Sequence, residues 1–389
     1  MDVKIFTSID DIPSEVWDRL VVGASCSCSR EFWQVVESAK LNDFDYRFAL
    51  IHDAQDKPVA LASFYTITTD IAVFSSPALR SVLERIRKRI PNFFKLRILE
   101  CGTPLTANPP VLMPNREQGD AIVEALSNKL LAFARSQRIP VIAVRDFQAD
   151  AAWLRPSFER RSFRFVNILP NTLLEICWPT MDEYLASMKS YYRSKLLRHL
   201  RKINKRSIRC ELREDFDDLA ALLCKQWMTV HNQADEFKRE VLSPEFYRDF
   251  SKKLGERSKV LLFFQDKEIV GHALLLLDGD MLRWLYFGRK VAVNDSLYLF
   301  AGYKVVETAI DLKVSRLELG FTTYSVKRDF GAEVHANSAA LCSPYRFVNP
   351  LLCRSFALFN KIPEIDTKSV FKDRPVNDRR GRKQKKPDA

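Results

Sequence analysis

Residues 282–333 read LRWLYFGRKVAVNDSLYLFAGYKVVETAIDLKVSRLELGFTTYSVKRDFGAE, and the order of patterns in this stretch decides the fold. Arg283 to Phe287 has the aromatic and apolar composition of a strand and stops at Gly288. From Leu297 the apolar residues Leu297, Phe300, Ala301, Val305, Ala309 and Ile310 recur at helical spacing, with Ser296 placed to act as N-cap. Arg316 to Phe321 alternates as a half-buried strand does. Strand, helix and strand at this length predict two parallel strands joined by a crossover helix. Ligands on such sheets bind at the carboxyl ends of the strands. Loops 288–296 and 321–331 are therefore where function is expected.

The same order recurs along the chain. Val3–Phe6 reads as a strand, Ser8 as an N-cap, and 30–39 as a helix. Tyr46–His52 and Pro58–Thr69 form a hairpin pattern around Asp53–Lys57, then come a strand at Leu96–Cys101, a helix at 118–137 and a strand at 141–145. Strand patterns at Arg164–Asn167 and Thr172–Cys177 follow. A helix from Thr180 to about Lys205 opens the second round. It continues through a strand at 208–212, helices at 215–230 and 244–254, and a hairpin around Asp266-Lys267. The expected class is α/β with a mixed sheet, built as two tandem domains at 1–172 and 173–355, with a basic, disordered tail at 356–389.

Composition narrows the function. A chain of 389 residues with 47% hydrophobic content and 27 Phe has ample material for two cores. The eight Cys are scattered apart from Cys26-Ser27-Cys28, which predicts reduced thiols and no zinc set. No apolar run is long enough to span a bilayer and the start lacks a signal-peptide pattern, so a cytoplasmic location is expected. The net charge of +12 is local: residues 184–210 hold nine Lys and Arg and no acid, and 372–389 hold eight against three acids. Such fields suit an anionic partner.

Helices, an antiparallel hairpin, a strand, a crossover helix and a further strand make up an order that resembles the GCN5-related N-acetyltransferase (GNAT) fold. The tandem copy, the basic stretch Tyr184–Arg201 and the element Val326-Lys327-Arg328-Asp329-Phe330-Gly331 resemble the FemAB-like group of Fem-type aminoacyltransferases. Lys327, Phe330 and Gly331 match that family's element; Val326 stands where an aromatic is common. The resemblance implies transfer of an acyl or aminoacyl group from an activated carrier to an amine acceptor. It also implies acyl-CoA or aminoacyl-tRNA as co-substrate and no tightly bound cofactor. Acetyl-CoA-binding GNAT proteins carry a glycine-rich pyrophosphate loop before the crossover helix, whereas residues 288–296 here contain one glycine, at the far end.

Acyl transfer needs a deprotonated amine, a stabilised oxyanion and aligned substrates. The resemblance assigns Lys327 to the oxyanion. Tyr324, just past a strand, and Glu318, opposite Leu317 and Leu319, are the candidates for proton transfer. Trp284 and Tyr286 alternate on one strand face and are candidates to line an acceptor groove, and Gly331 permits close backbone approach or a turn. Arg193, Arg198 and Arg201 surround an amphipathic helix and suit phosphates on tRNA, a carrier or an anionic membrane surface. His231 and His272 are minor candidates for a base. The alternative is a non-catalytic protein that uses the basic helix and tail on RNA or anionic lipid.

Overall fold

The computed structural model describes residues 1–70, 77–93, 95–233, 239–291, 293, 296–345, 347–350, 352 and 369–372. The first half runs β1 (Asp2–Phe6), α1 (Ser14–Leu20), α2 (Arg30–Ser38), β2 (Asp45–His52), β3 (Pro58–Asp70), α3 (Pro77–Arg87), β4 (Lys95–Cys101), α4 (Gly119–Ser136), β5 (Val141–Val144), α5 (Arg155–Arg160) and β6 (Arg164–Glu175). The second half begins with α6 (Met181–Ser187), α7 (Ser190–Asn204), β7 (Ile208–Arg213), α8 (Ala220–Gln233), α9 (Pro244–Leu254), β8 (Ser258–Gln265) and β9 (Glu268–Asp278). It ends with β10 (Met281–Arg289), α10 (Leu297–Asp311), β11 (Arg316–Glu318), α11 (Tyr324–Asp329) and β12 (Glu333–Cys342).

All twelve strands join one sheet, in the order β1-β2-β3-β4-β5-β12-β6-β11-β10-β9-β8-β7. Each half supplies a four-stranded antiparallel meander and one parallel strand behind a crossover helix: β4 with β5, and β10 with β11. Both expected hairpins form. The halves then exchange their last strands. β6 pairs antiparallel with β11, while β12 lies between β5 and β6. Residues 164–175 form one strand where two patterns were read, so Thr172 and Leu173, at the expected domain boundary, lie inside β6.

Alternation along the strands sorts side chains onto two faces. One face carries α4 and α5 on the first half and α6, α7 and α10 on the second, over separate cores. The other face carries a single core shared by both halves, in which Trp17, Phe32 and Trp33 of α1 and α2 join Trp227, Phe246 and Phe250 of α8 and α9. The two halves are thus bonded through the sheet and packed through a common helical layer.

Three expectations need correction here. The long helix after Thr180 is two helices, because Met188 and Lys189 adopt extended backbone. The loop at 321–331 contains α11, and the strand before it ends at Glu318, short of Phe321. The basic tail is not uniformly without structure: Ser369–Lys372 lie against the second-half core, with Val370 and Phe371 buried. The rest of 356–389 lies outside the described residues.

Candidate active site

The parallel pair β10 and β11 positions the site. The two strands pair only from Met281 with Arg316 to Arg283 with Glu318. Beyond that point β10 continues to Arg289, while the chain after Glu318 turns away through Gly320 at φ +72°. The strands therefore stop pairing at their carboxyl ends, past Arg283 and Glu318, the place where ligands bind on sheets of this kind. Ser296 does not cap α10 as expected. It has a left-handed backbone, and its Oγ lies 2.8 Å from His199 Nδ1 on the basic helix α7. Burial, then Lys202, Lys195 and Arg198, keep His199 below the usual imidazole range.

Lys327 lies on α11, past the end of β11, and is 4% exposed. Its Nζ donates to the carbonyl of Phe321. Burial pushes its ammonium down to about 7, and the nearby charge of Glu318 opposes this only in part. Tyr324, one turn earlier on α11, donates its hydroxyl to the carbonyl of Pro170 at 2.9 Å. Burial raises its pKa. Lys327 and Tyr324 share a helix face by their spacing, and Glu318 contributes the adjoining charge, so the structure brings these three candidates together.

Glu318 is not a solvated carboxylate. It accepts from Arg283 Nη1 at 2.5 Å, and Arg283 Nε donates to Asp278 at 2.8 Å. Asp278 in turn accepts from Ser25 Oγ at 2.6 Å and from the Cys26 N–H at 2.7 Å. Ser25 and Ser27 share a hydrogen bond of 2.6 Å, and Asn108 Nδ2 reaches Ser27, Thr103 and Thr106. A chain of buried polar groups thus runs from a first-half loop to the carboxylate beside Lys327. Burial works against the charge on Arg283, but Glu318 and Asp278 outweigh it and hold the guanidinium protonated. Burial likewise lifts Asp278, and Arg283, Ser25 and the Cys26 N–H reverse the shift. Burial also raises the thiols of Cys26 and Cys28, the latter to about 12, which leaves both as neutral packing groups.

The first half places a second polar group at the equivalent strand ends. Asp146, just past β5, has a left-handed backbone (φ +67°) and a fully buried side chain. Oδ1 accepts from Asn337 Nδ2 of β12 at 2.8 Å, and Oδ2 lies 3.5 Å from Arg145 Nη2, too far for a hydrogen bond. Burial raises its pKa; Arg145 and Asn337 oppose, while Glu100 and Glu318 add to the rise.

Other candidates fall elsewhere. A bulge between Trp284 and Tyr286 breaks the alternation of β10 and sends the two rings to opposite faces. Trp284 stacks on Tyr298 at 5.2 Å in the core under α10. Tyr286 packs on the shared core and donates to Glu240 at 2.8 Å. They do not line one groove. Gly331 has φ +87°, and a Cβ there would lie 2.2 Å from the ring of Phe371, so protein fills the space beside it. Phe330 packs in the same way over Gly302 of α10, where a Cβ would lie 2.5 Å from its ring. His272 is enclosed between Gln226 and Tyr247, and burial lowers it to about 3. His231 stacks on Trp227.

Arg198 and Arg201 are exposed on α7 and Arg193 is half-buried. No ion pair to any of the three is present among the described residues. Lys195, on the same helix, pairs with Asp329 of α11 at 2.6 Å, which ties the basic helix to the helix that carries Lys327. The polar chain through Ser25, Asp278 and Asn108 was not anticipated. Its one trace in the sequence is Arg283 inside an otherwise apolar strand, a charge that needs buried partners.

The architecture is that of a tandem GNAT fold, with a buried lysine past the end of its second parallel strand pair. The chain belongs to the FemAB-like family, whose model, described as peptidoglycan biosynthesis/recognition, matches residues 8–347. Among solved structures, FemX superposes with a TM-score of 0.52 at 10% identity, covering 92% of this chain and 100% of that one. The C-terminal domain of a putative lysylphosphatidylglycerol synthetase from Agrobacterium fabrum gives a TM-score of 0.52 at 10% identity, with 88% and 95% covered. A curated relative from Mycobacterium tuberculosis, a putative 8-amino-7-oxononanoate synthase 2, is 24% identical over 314 residues. That match takes in 76% of this chain and 39% of the relative's length. Among the described residues no helix is long and apolar enough to cross a membrane.

Proposed function

We propose that the protein transfers an acyl or aminoacyl group from an activated carrier directly to an amine, at the opening between the carboxyl ends of β10 and β11. The observation that carries this reading is Lys327: a buried cation on α11, at the family's lysine–phenylalanine–glycine element, with its Nζ turned to a backbone carbonyl. When the amine attacks the acyl carbon, negative charge gathers on the acyl oxygen. A preformed ammonium in a dry site stabilises that charge more than it stabilises the neutral substrate, which lowers the barrier. In this reading the oxyanion takes the place of the Phe321 carbonyl at Nζ. Tyr324, already donating to a carbonyl, passes a proton to the leaving group and takes up the proton that the attacking nitrogen releases as the amide forms. Glu318 is held by Arg283 and serves as a fixed negative charge that offsets part of the cost of burying the Lys327 ammonium, rather than as a free base.

The donor carries phosphate. Arg193, Arg198 and Arg201 bind it, on a helix that Lys195 and His199 fasten to α11 and to the start of α10. Side-chain cations of this kind, beside a loop with one glycine, favour aminoacyl-tRNA over a CoA held by backbone N–H groups. The acceptor amine enters from the first half, where buried Asp146, bonded to Asn337, feels the charge of Glu318. The site lies on a protein that meets its partners in the cytoplasm, and the basic face is also able to touch an anionic membrane.

Thermal shift with acyl-CoAs, acyl carriers and aminoacyl-tRNA identifies the donor, and turnover is then measured with it. Lys327→Ala is expected to lower turnover by about two to three orders of magnitude, the size of losing one oxyanion donor, with the melting temperature preserved or raised. Full turnover in that variant removes Lys327 from the mechanism. The uncompensated charge on α7 also supports the second reading, a binding protein without catalysis. In that case Arg198→Glu with Arg201→Glu abolishes ligand binding altogether, and no acyl product forms with any donor.

A further inference from the structure

The segment Ser369–Lys372 returns to the candidate site from the far end of the chain. It docks on the break between α6 and α7, where extended backbone at Met188 and Lys189 leaves polar groups open. The Lys189 N–H donates to Val370 O at 2.9 Å, and the Lys372 N–H donates to Ser187 O at 3.0 Å. Met188 and Phe371 face each other in a single antiparallel bridge. Lys372 Nζ adds a bond of 2.8 Å to Ala186 O, a cation at the carboxyl end of α6. Phe371 is 4% exposed and packs on Trp178 and Tyr184, with ring centroids at 4.7 and 5.9 Å. Its ring occupies the space where a side chain at residue 331 would be.

We propose that Ser369–Lys372 is a positioning clip for the reaction centre, and that Phe371 docked on Gly331 holds the helix carrying Lys327 in its working place. This rests on the reading of Lys327 as the catalytic cation. α11 is six residues long, too short to persist on hydrogen bonds alone. Thr323, at its start, makes no side-chain cap. Tertiary contacts that hold it among the described residues include Tyr324 Oη on Pro170 O at 2.9 Å, Phe330 on Gly302, Tyr184 Oη on Phe330 O at 2.8 Å, Lys195 on Asp329, and Phe371 on Gly331. The clip supplies the last of these and, through Ser187 and Lys189, also fixes the start of α7. One four-residue segment thus sets Lys327 and the phosphate-binding arginines relative to each other. The clip adds a second constraint to the positive φ of Gly331: a side chain there would meet the ring of Phe371.

The test uses the full chain with Phe371→Ala and the milder Phe371→Leu, and needs no substrate. Backbone hydrogen exchange is followed by mass spectrometry, together with the pH dependence of Lys327 acylation by acetic anhydride. In Phe371→Ala, exchange at 324–331 and 188–192 is expected to rise about tenfold or more, with β8 and β9 unchanged. The Lys327 labelling midpoint is expected to move from about 7 toward the ordinary 10.5 as water reaches the ammonium, and Phe371→Leu falls between. Unchanged exchange and midpoint overturn the proposal. So does a uniform rise across the second half with the midpoint still near 7, the mark of a general packing role. If the alanine variant does not fold, the leucine variant decides on the same two readouts. A catalytically dispensable Lys327 leaves these readouts intact, so failure of the transferase reading and failure of the clip are told apart.

Discussion

Lys327 concentrates the physics of the site in one residue. Its ammonium is stripped of water and has one carbonyl and one nearby carboxylate in return. Folding therefore weakens its hold on a proton, from 10.5 to about 7. Between those values the unfolded chain binds more protons than the folded one, so this group makes stability rise with pH across that window. The penalty is complete below about pH 7 and disappears above about 10.5. Lys327→Met is expected to stabilise the protein at pH 6 and to do so much less at pH 10, as read by urea unfolding. An equal gain at both values means that the side chain carries no buried charge. Under the proposed function, catalysis has the opposite slope. Transfer that depends on protonated Lys327 declines above about pH 7, and Lys327→Arg, charged throughout, moves that decline upward while lowering the maximum. The lysine itself was readable because the family element surrounds it. Its burial was not, because a lysine in a run of charged residues reads as exposed, and the elements that fasten α11, through Tyr324, Asp329 and Phe330, come from distant parts of the chain.

At the scale of elements, the decisive feature is the joint of β9, β10 and β11. Arg283 holds carboxylates on both flanks, Asp278 and Glu318, and Asp278 reaches a loop 252 residues earlier in the chain. Removing one member of a buried ionic group leaves its partner charged and dry, which costs about 3–5 kcal/mol. Arg283→Met is expected to destabilise by that amount, since it strands two carboxylates. Adding Asp278→Asn and Glu318→Gln should recover much of the loss. Denaturant midpoints of the single and triple variants check this, and a harmless Arg283→Met shows the network to be solvated. Sequence patterns found β9 and β10 and their hairpin, because local alternation specifies them. They missed the bulge at Trp284–Tyr286, which turns Tyr286 toward Glu240, a partner outside the strand. They also missed the break at Met188, where α7 keeps good helical composition but docking of Val370 favours extended backbone. Local propensity yields to tertiary contacts at both places.

At the scale of the whole molecule, the repeat of elements announced two domains, and the repeat is real, yet neither half closes its own sheet. β6, made by the first half, flanks β11 of the second, and β12, made last, lies between β5 and β6. The shared core of α1, α2, α8 and α9 binds the halves again on the other face. Register between distant strands is set by pairing that no local pattern records, so an exchange of this kind is invisible to a reading that stops at element order. It has a consequence for stability. Cutting between Thr172 and Leu173 divides β6, leaves β11 only the three residues Leu173–Glu175 as a neighbour, and strips β12 of β5 and of residues 164–172. Each fragment then exposes an unpaired sheet edge and half of an apolar core, the conditions for aggregation rather than independent folding. Residues 1–172 and 173–389 expressed alone are expected to be insoluble or unfolded, and co-expression should recover a one-to-one complex. The intact chain should unfold in a single calorimetric transition, with equal calorimetric and van't Hoff enthalpies. Two separate transitions, or a soluble 173–389 fragment with native circular dichroism, would show the exchanged strands to be accessory. The exchange also bears on chemistry. It sets Asp146, just past β5, and Lys327, on the helix that follows β11, beside strands that share β6 and β12, so under the proposed function both sides of the site are held by one hydrogen-bonded sheet.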